Sequence, residues 1–373
     1  MIPVCEPQIG QEELENVIRC IKSGEISGTA GDFIAEFEQK FSAYCGKKYG
    51  ITTTSGTTAL HLATASLDLG KGDEVITSTF TNAATVFGIV YNGATPVVVD
   101  SEPATWNIDP NQIEEKITPN TKAILPVHIY GHPCDMDQIM EIARRHRFYV
   151  IEDAAEAHGA EYKGKRVGSF GDISCFSFYA NKIITTGEGG MIVTDSEEVA
   201  EKARLLRNLA FSRERRFLHH YVGFNYRMTN LQAAIGIAQL ARIDTLIDRK
   251  RHIAQQYNSR LKEVPGITLP PEEPWARSVY WMYCLLIGDE FGLDRDNVMA
   301  RLAEAGIETR TLFIPMNQQP AFHKMGLFEE QSCPVAESLS RQGLYLPSGV
   351  GLTDEQIEYI CGMLKQLNST SAG

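Results

Sequence analysis

FSFYANKIITTGEGGMIVTD, residues 176–195, opens as an apolar strand and passes a lone lysine at 182. It then turns through Thr185, Thr186, Gly187, Gly189 and Gly190 and leaves as a second apolar strand. Lys182 stands just past a strand end, between Asn181 and Ile183. A lysine in that place is readily desolvated, and desolvation lowers its pKa until the free amine can act as a nucleophile. The glycines let backbone pass close to a ligand. The same letters also suit a surface lysine ahead of a hairpin, so the surroundings have to decide. From about residue 49 to 210, short apolar runs (DEVITST, ATPVVVD, KAILPV, FYVIED, ISCFSF, GGMIVTD) alternate with amphipathic segments such as TTALHLATASL and MDQIMEIARRHR. Strand–helix alternation of this kind predicts an α/β fold, a mainly parallel sheet covered on both faces.

Beyond that block the pattern changes. In QEELENVIRCIKSG, near the start, Leu14, Val17, Ile18 and Ile21 share one helical face, and Gly24 supplies a stop. After residue 228 an uninterrupted amphipathic stretch predicts one or two long helices. PGITLPPEEP then breaks it with four prolines, and a strand WMYCLLIG, a helix DRDNVMARLAEAG, a strand IETRTLF and a final helix from about Asp354 to Leu367 follow. This divides the chain into a large unit, residues 1–249, and a smaller α+β unit, residues 250–373.

Composition sets outer bounds. The 373 residues carry a net charge of -12, which argues against broad nucleic-acid binding, since that needs a basic face. The eight cysteines form no C-x-x-C pair, so neither a zinc site nor a disulfide framework is expected. The first residues lack the basic and apolar regions of a signal peptide, and no apolar run approaches a membrane span. A cytoplasmic protein with no metal and no membrane contact is the expectation.

Two further segments bear on the lysine. RFYVIEDAAEAHGA, residues 147–160, ends an apolar run in Glu152 and Asp153. Ligands of open α/β sheets sit at the carboxyl ends of strands, and a carboxylate there can keep a heterocyclic nitrogen protonated. Taken alone, the aspartate suits a helix cap equally well. TTTSGTTALHLATASL, residues 52–67, sets Ser55, Gly56, Thr57 and Thr58 at the opening of a helix. The free N–H groups and partial positive charge there suit a phosphate, or a plain cap. Together the three segments supply an amine, a carboxylate and a phosphate cradle from different strand ends of one sheet. That is the inventory of a pyridoxal-phosphate (PLP) site.

With these residues in view, the chain resembles the sugar aminotransferases of the DegT/DnrJ/EryC1/StrS group, within the fold-type I PLP enzymes. SGTTALHLA, GDEVI, GATPVVVD, IEDAAEAHGA, GDISCFSF, NKIITTGEGG and GFNYRMTNLQAAIG carry the resemblance in order, nearly end to end. It implies an aspartate-aminotransferase-like fold and a homodimer with shared sites. It also implies L-glutamate as amino donor and a keto-sugar nucleotide as acceptor, with C4 of GDP-4-keto-6-deoxymannose expected first. Other dTDP- or UDP-linked keto-sugars are the alternative, with a PLP-dependent dehydratase behind them. The dehydratase branch replaces the lysine with His, whereas Lys182 is present here.

The resemblance also implies roles. Lys182 would bond the cofactor and shuttle the proton. Asp153 would face the pyridine nitrogen, and Glu156 would lie near the ring hydroxyl. Ser55, Gly56, Thr57 and Ser177 would surround the phosphate, and Phe80 would stack on the ring. Asn225 would reach the phosphate from the partner subunit. Arg310, Asn317 and His323 are the substrate candidates. Three stretches depart from the family pattern: TLFIPMNQQPAFHKMG, where Asn317 stands for a common His, TFTNAATV, and RNLAFSRERR. His61 reads as a packing residue, His128 and His132 as neighbours of the ligand side, and the basic run at 213–216 as a solvated loop or a diphosphate contact.

Overall fold

Strands covered on both faces have to be apolar along their whole length, and the central strands here are. The computed structural model describes residues 1–212, 214–215 and 217–371. Its first part contains helices α1 (Gln11–Ser23), α2 (Phe33–Tyr44), α3 (Gly56–Ser66), α4 (Ala83–Val90), α5 (Met136–His146) and α6 (Glu197–Arg207). Between them run strands β1 (Tyr49–Thr53), β2 (Glu74–Ser78), β3 (Thr95–Val99), β4 (Thr121–Leu125) and β5 (Tyr149–Asp153). A short hairpin β6 (Glu161–Tyr162) and β7 (Lys165–Arg166) precedes β8 (Ile173–Ser177) and β9 (Gly190–Thr194). Seven strands form one sheet in the order β1-β9-β8-β5-β4-β2-β3. The pairs β8–β5, β5–β4, β4–β2 and β2–β3 are parallel, and β9 alone runs against its neighbours β1 and β8. Every residue of β8 and β9 is buried. The sheet is therefore the mainly parallel α/β sheet that the strand–helix alternation predicts. The carboxyl ends of β5 and β8 lie side by side, with Asp153 paired to Cys175.

The long amphipathic stretch divides at Arg242 into α7 (Asn230–Ala241) and α8 (Ile243–Leu261). The remaining elements are β10 (Ile267–Thr268), β11 (Ala276–Arg277), β12 (Tyr283–Ile287), α9 (Arg295–Glu304), β13 (Arg310–Thr311), α10 (Pro320–His323), α11 (Pro334–Gln342), β14 (Gly343–Leu346) and α12 (Asp354–Ser371). A wholly antiparallel sheet in the order β10-β12-β14-β13 packs on α8, α9 and α12 around Tyr257, Tyr283, Phe291, Leu302 and Ile360. The first residues cross to this small sheet: Ile2 N–H donates to Gly306 O at 2.7 Å, and Ser348 N–H donates to Val4 O at 2.9 Å. The IETRTLF segment forms only a two-residue strand.

Helix α1 forms where its periodicity predicts, and Gly24, at φ 76°, closes it. Its apolar stripe faces outward, however, with Leu14 52% and Ile21 63% exposed. The inward side carries Glu13, whose carboxylate accepts from Gln239 and Arg242, each at 2.6 Å. Below the ends of β5 and β8, Phe37, Phe41, Phe176 and Phe178 pack edge to face or tilted. Burying a ring of this size stabilises by about 1.5–3 kcal/mol, which makes a stiff floor for the strand ends.

Candidate active site

A cavity of about 270 Å³ opens at those strand ends, at the lower edge of the ~300 Å³ typical of small-molecule sites. Ser55, Gly56, Thr57, Asp153, Glu156, Ser177 and Lys182 all line it. Each reaches it for a local reason. Ser55 caps α3, its Oγ accepting from Thr58 N–H at 3.2 Å, and this aims the helix start at the cavity. At Gly56 a Cβ would lie 2.7 Å from the Ser177 Cβ, so only glycine lets α3 approach β8 this closely.

Asp153 and Glu152 end the same strand and point to opposite faces. Glu152 is wholly buried and accepts from the N–H groups of Gly168, Phe170 and Gly171, from Ser174 Oγ and from His128 Nε2. Those donors hold its carboxyl below the usual range despite burial. Asp153 turns into the cavity, where burial pushes its carboxyl up. Its Oδ2 accepts from Thr85 Oγ1 at 2.8 Å and its Oδ1 from Ala155 N–H at 3.1 Å. Because Thr85 spends its proton on Asp153, it accepts from Thr81 Oγ1, 2.7 Å away.

Lys182 lies on the loop between β8 and β9. Burial lowers its amine, while Glu156 and Asp153 oppose that fall. Nζ stands 4.0 Å from Glu156 Oε1 and 3.7 Å from the centroid of the Trp281 ring. Burial beside this lysine raises the Glu156 carboxyl. Its Oε2 accepts from Tyr130 N–H at 2.8 Å. Tyr130 takes a left-handed backbone, φ 50°, and stacks between Phe313 and Trp281.

Other sequence candidates fall elsewhere. Phe80 is wholly buried behind the cavity wall, against Tyr130 and Phe313, and its neighbours Thr81 and Asn82 line the cavity instead. Asn225 is exposed, bridged to Asn208, and does not line this chain's own cavity. Arg310 is exposed and pairs with Glu308 at 3.0 Å, with Tyr345 and the cavity residue Tyr179 in its field. The structure moves Asn317 and His323 away from the site. The Asn317 amide accepts from Thr79 and donates to Gln331 O and Glu337, and His323 Nε2 meets Asn317 O at 2.7 Å. A side chain whose polar atoms are already matched inside the fold has none left for a sugar.

The histidines are structural. His61 bridges Tyr226 and Asn92. His128 Nδ1 accepts from Cys134 N–H, so its Nε2 carries the proton offered to Glu152. His132 bonds Pro133 O, and burial lowers it to about 4. Of the basic run, Arg213 and Arg216 lie outside the described residues. Sequence reasoning missed Thr85, Tyr130 and Trp281. TFTNAATV held the first as an unremarked hydroxyl, and the other two reach the site only through tertiary packing.

The donor set fits PLP: a buried amine, a buried carboxylate across the cavity from hydroxyls and a helix start, and a glycine whose missing Cβ leaves the cradle open. The DegT/DnrJ/EryC1/StrS aminotransferase family matches residues 7–365. The GDP-perosamine synthase of Caulobacter vibrioides is 45% identical over 98% of both chains, and that of Escherichia coli O157:H7 is 43% identical over 99% of both. Among solved structures, the PLP form of the putative sugar aminotransferase Spr1654 from Streptococcus pneumoniae superposes with a TM-score of 0.92. It is 27% identical, over 99% of each chain. The chain belongs to the DegT/DnrJ/EryC1/StrS aminotransferase family.

Proposed function

We propose that this PLP-dependent aminotransferase moves an amino group from L-glutamate to C4 of GDP-4-keto-6-deoxymannose, giving GDP-perosamine. The observation that carries the transaminase reading is the Lys182 amine, buried in one cavity between Asp153 and the start of α3. The names of the two relatives support the sugar. Bound PLP supplies a conjugated electron sink for the carbanion left when a C–H bond next to nitrogen breaks.

The chain's own groups do the rest. Ser55, Gly56, Thr57 and Ser177 would surround the phosphate, and Asp153 would keep the ring nitrogen protonated. Glu156 would lie by the ring hydroxyl. Lys182 Nζ would take the proton from the donor's Cα and return it to the second reacting carbon. Trp281 covers this amine and limits water beside it. Arg310 stays the candidate for a carboxylate of glutamate, since a guanidinium fork suits one.

The same proposal includes a homodimer, with the outward apolar face of α1 against the second copy and Asn225 reaching the partner's phosphate. For units 1–249 and 250–373, the core around Tyr257, Tyr283 and Phe291 lies within the second unit, while Trp281, Leu312 and Leu339 join the core of the first. A cytoplasmic setting is supported by eight unpaired cysteines.

The test is colour. The yellow PLP-loaded protein should bleach on adding L-glutamate, and the keto-sugar nucleotide that restores the yellow identifies the acceptor. Restoration by a dTDP- or UDP-sugar would replace the GDP reading, release of water without an amino sugar would mean a dehydratase, and no bleaching would end the transaminase reading.

A further inference from the structure

A second, smaller cavity shares Asn181 and Lys182 with the first and reaches neither Ser55 nor Asp153. It holds about 20 Å³, room for about one water. Cys5, Glu6, Gln8, Gln239 and Lys250 contribute to its wall. The polar groups around it are under-supplied. Lys250, on α8, is 4% exposed. Its Nζ donates to Ser348 O at 2.6 Å and lies 3.4 Å from Ser348 Oγ. An ammonium has three N–H groups, so one is left for the cavity. Asn181 Oδ1 is buried and has no donor among the described residues. Lys250 and Asn181 line the same cavity, and a buried cation or a buried bare acceptor is costly unless something polar meets it.

We propose that Lys250 and Asn181 hold a water in this cavity, and that Lys182 sheds and regains its proton through that water. The idea rests on Lys182 being the catalytic amine. In the outward direction one N–H bond of the Lys182 ammonium breaks and its proton passes to the water oxygen. The water gives one of its own protons to the lone pair of neutral Lys250, and no electrons change hands. The inward direction is the reverse. Burial lowers Lys250 to about 8, so both of its forms are populated at mildly alkaline pH. The titratable groups facing it are Cys5 and Glu6 from the first segment, Lys182 from the loop after β8, and Cys284 from β12.

Lys250→Gln keeps a donor for Ser348 O and cannot titrate. In cofactor-free protein, acetylation of Lys182 by a small anhydride can be followed against pH by peptide mass spectrometry. The midpoint for Lys182 should rise in Lys250→Gln, because an amine that lines the same cavity and can carry a positive charge is gone. In the PLP-loaded variant, bleaching by L-glutamate should slow about a hundredfold or more, the scale expected of a proton-transfer partner, and its pH profile should be displaced. A Lys250→Gln protein with the parent's melting temperature, an unchanged labelling midpoint and an unchanged profile overturns the proposal. Should that variant not fold, Asn181→Ala removes the other anchor of the water, and the same labelling decides in the same way. Labelling is read without cofactor, so its failure is separate from a failure of the parent protein to bleach.

Discussion

Thr85 shows how one hydroxyl tunes a carboxylate. Its bond to Asp153 Oδ2 favours the charged form and opposes the rise that burial imposes. Thr85→Val keeps the shape and removes the donor, so Asp153 should climb further. If the charged carboxylate is the working form, the acid limb of bleaching by L-glutamate should move to higher pH. Stability should fall by about 1–3 kcal/mol, the scale of a buried acceptor left without its donor. An unmoved limb in stopped-flow bleaching would count against Asp153 as the ring-nitrogen partner. His132 and His158 make a second prediction. Burial lowers the first to about 4 and the second to about 3 from an ordinary 6.5. The folded chain therefore binds fewer protons than the unfolded one between those values. Stability is complete above about pH 6.5 and is lost as pH falls toward 4, by about 3 kcal/mol for His132 alone at the usual 1.36 kcal/mol per unit. His158 is buried among Phe41, Phe176 and Phe178, with the Ser177 backbone beside its ring. Melting scans of His158→Phe should show no loss at pH 7 and a shallower acid decline; an equally steep decline would place the acid sensitivity elsewhere.

At the scale of elements, α3 comes close against β8 in the site. A methyl at position 56 would meet the Ser177 Cβ at 2.7 Å, inside any normal carbon–carbon contact. Gly56→Ala should push the helix start off the strand end and weaken PLP binding by about tenfold or more, equivalent to about 1.4 kcal/mol, readable by titrating the cofactor. Unchanged affinity would mean that the phosphate does not use the α3 start. The elements that make this corner are the ones whose sequence was easiest to read. Val-, Ile- and Phe-rich runs such as ISCFSF and FYVIED, alternating with amphipathic segments, read as covered strands, and Ser55 before a helix-forming run marks a start. The lysine, the aspartate and the cradle were legible because each sits at the end of such an element. Glu152 and Asp153 could not be told apart by composition, since their difference is the direction a strand residue faces. Asn317, read as a substrate contact because a His is common there, turned out to be a clip between Thr79 and Glu337. Trp281 was illegible for another reason: it belongs to the loop before β12 and meets Lys182 only because the two parts of the chain pack together.

For the molecule as a whole, the outward stripe of α1 is the plainest unfinished surface. Leu14, Ile18 and Ile21 are all exposed on a helix whose inner side is anchored by the Glu13 carboxylate. Sedimentation of the parent protein should give a dimer. The double variant Leu14→Asp, Ile21→Asp should sediment as a monomer and bind PLP poorly if Asn225 serves the partner's site. A parent protein that sediments as a monomer would remove the dimer from the proposal. The amine and its aromatic lid also lie far apart along the chain, with Lys182 made well before Trp281. At about 5–20 residues per second, a ribosome builds the cradle, the carboxylate and the lysine several seconds before the ring that shields them exists. A nascent chain therefore carries an uncovered amine for a fixed interval of its synthesis. Stalled chains ending before and after residue 281 should differ in how tightly they keep PLP, which makes cofactor capture a late event in the life of the polypeptide.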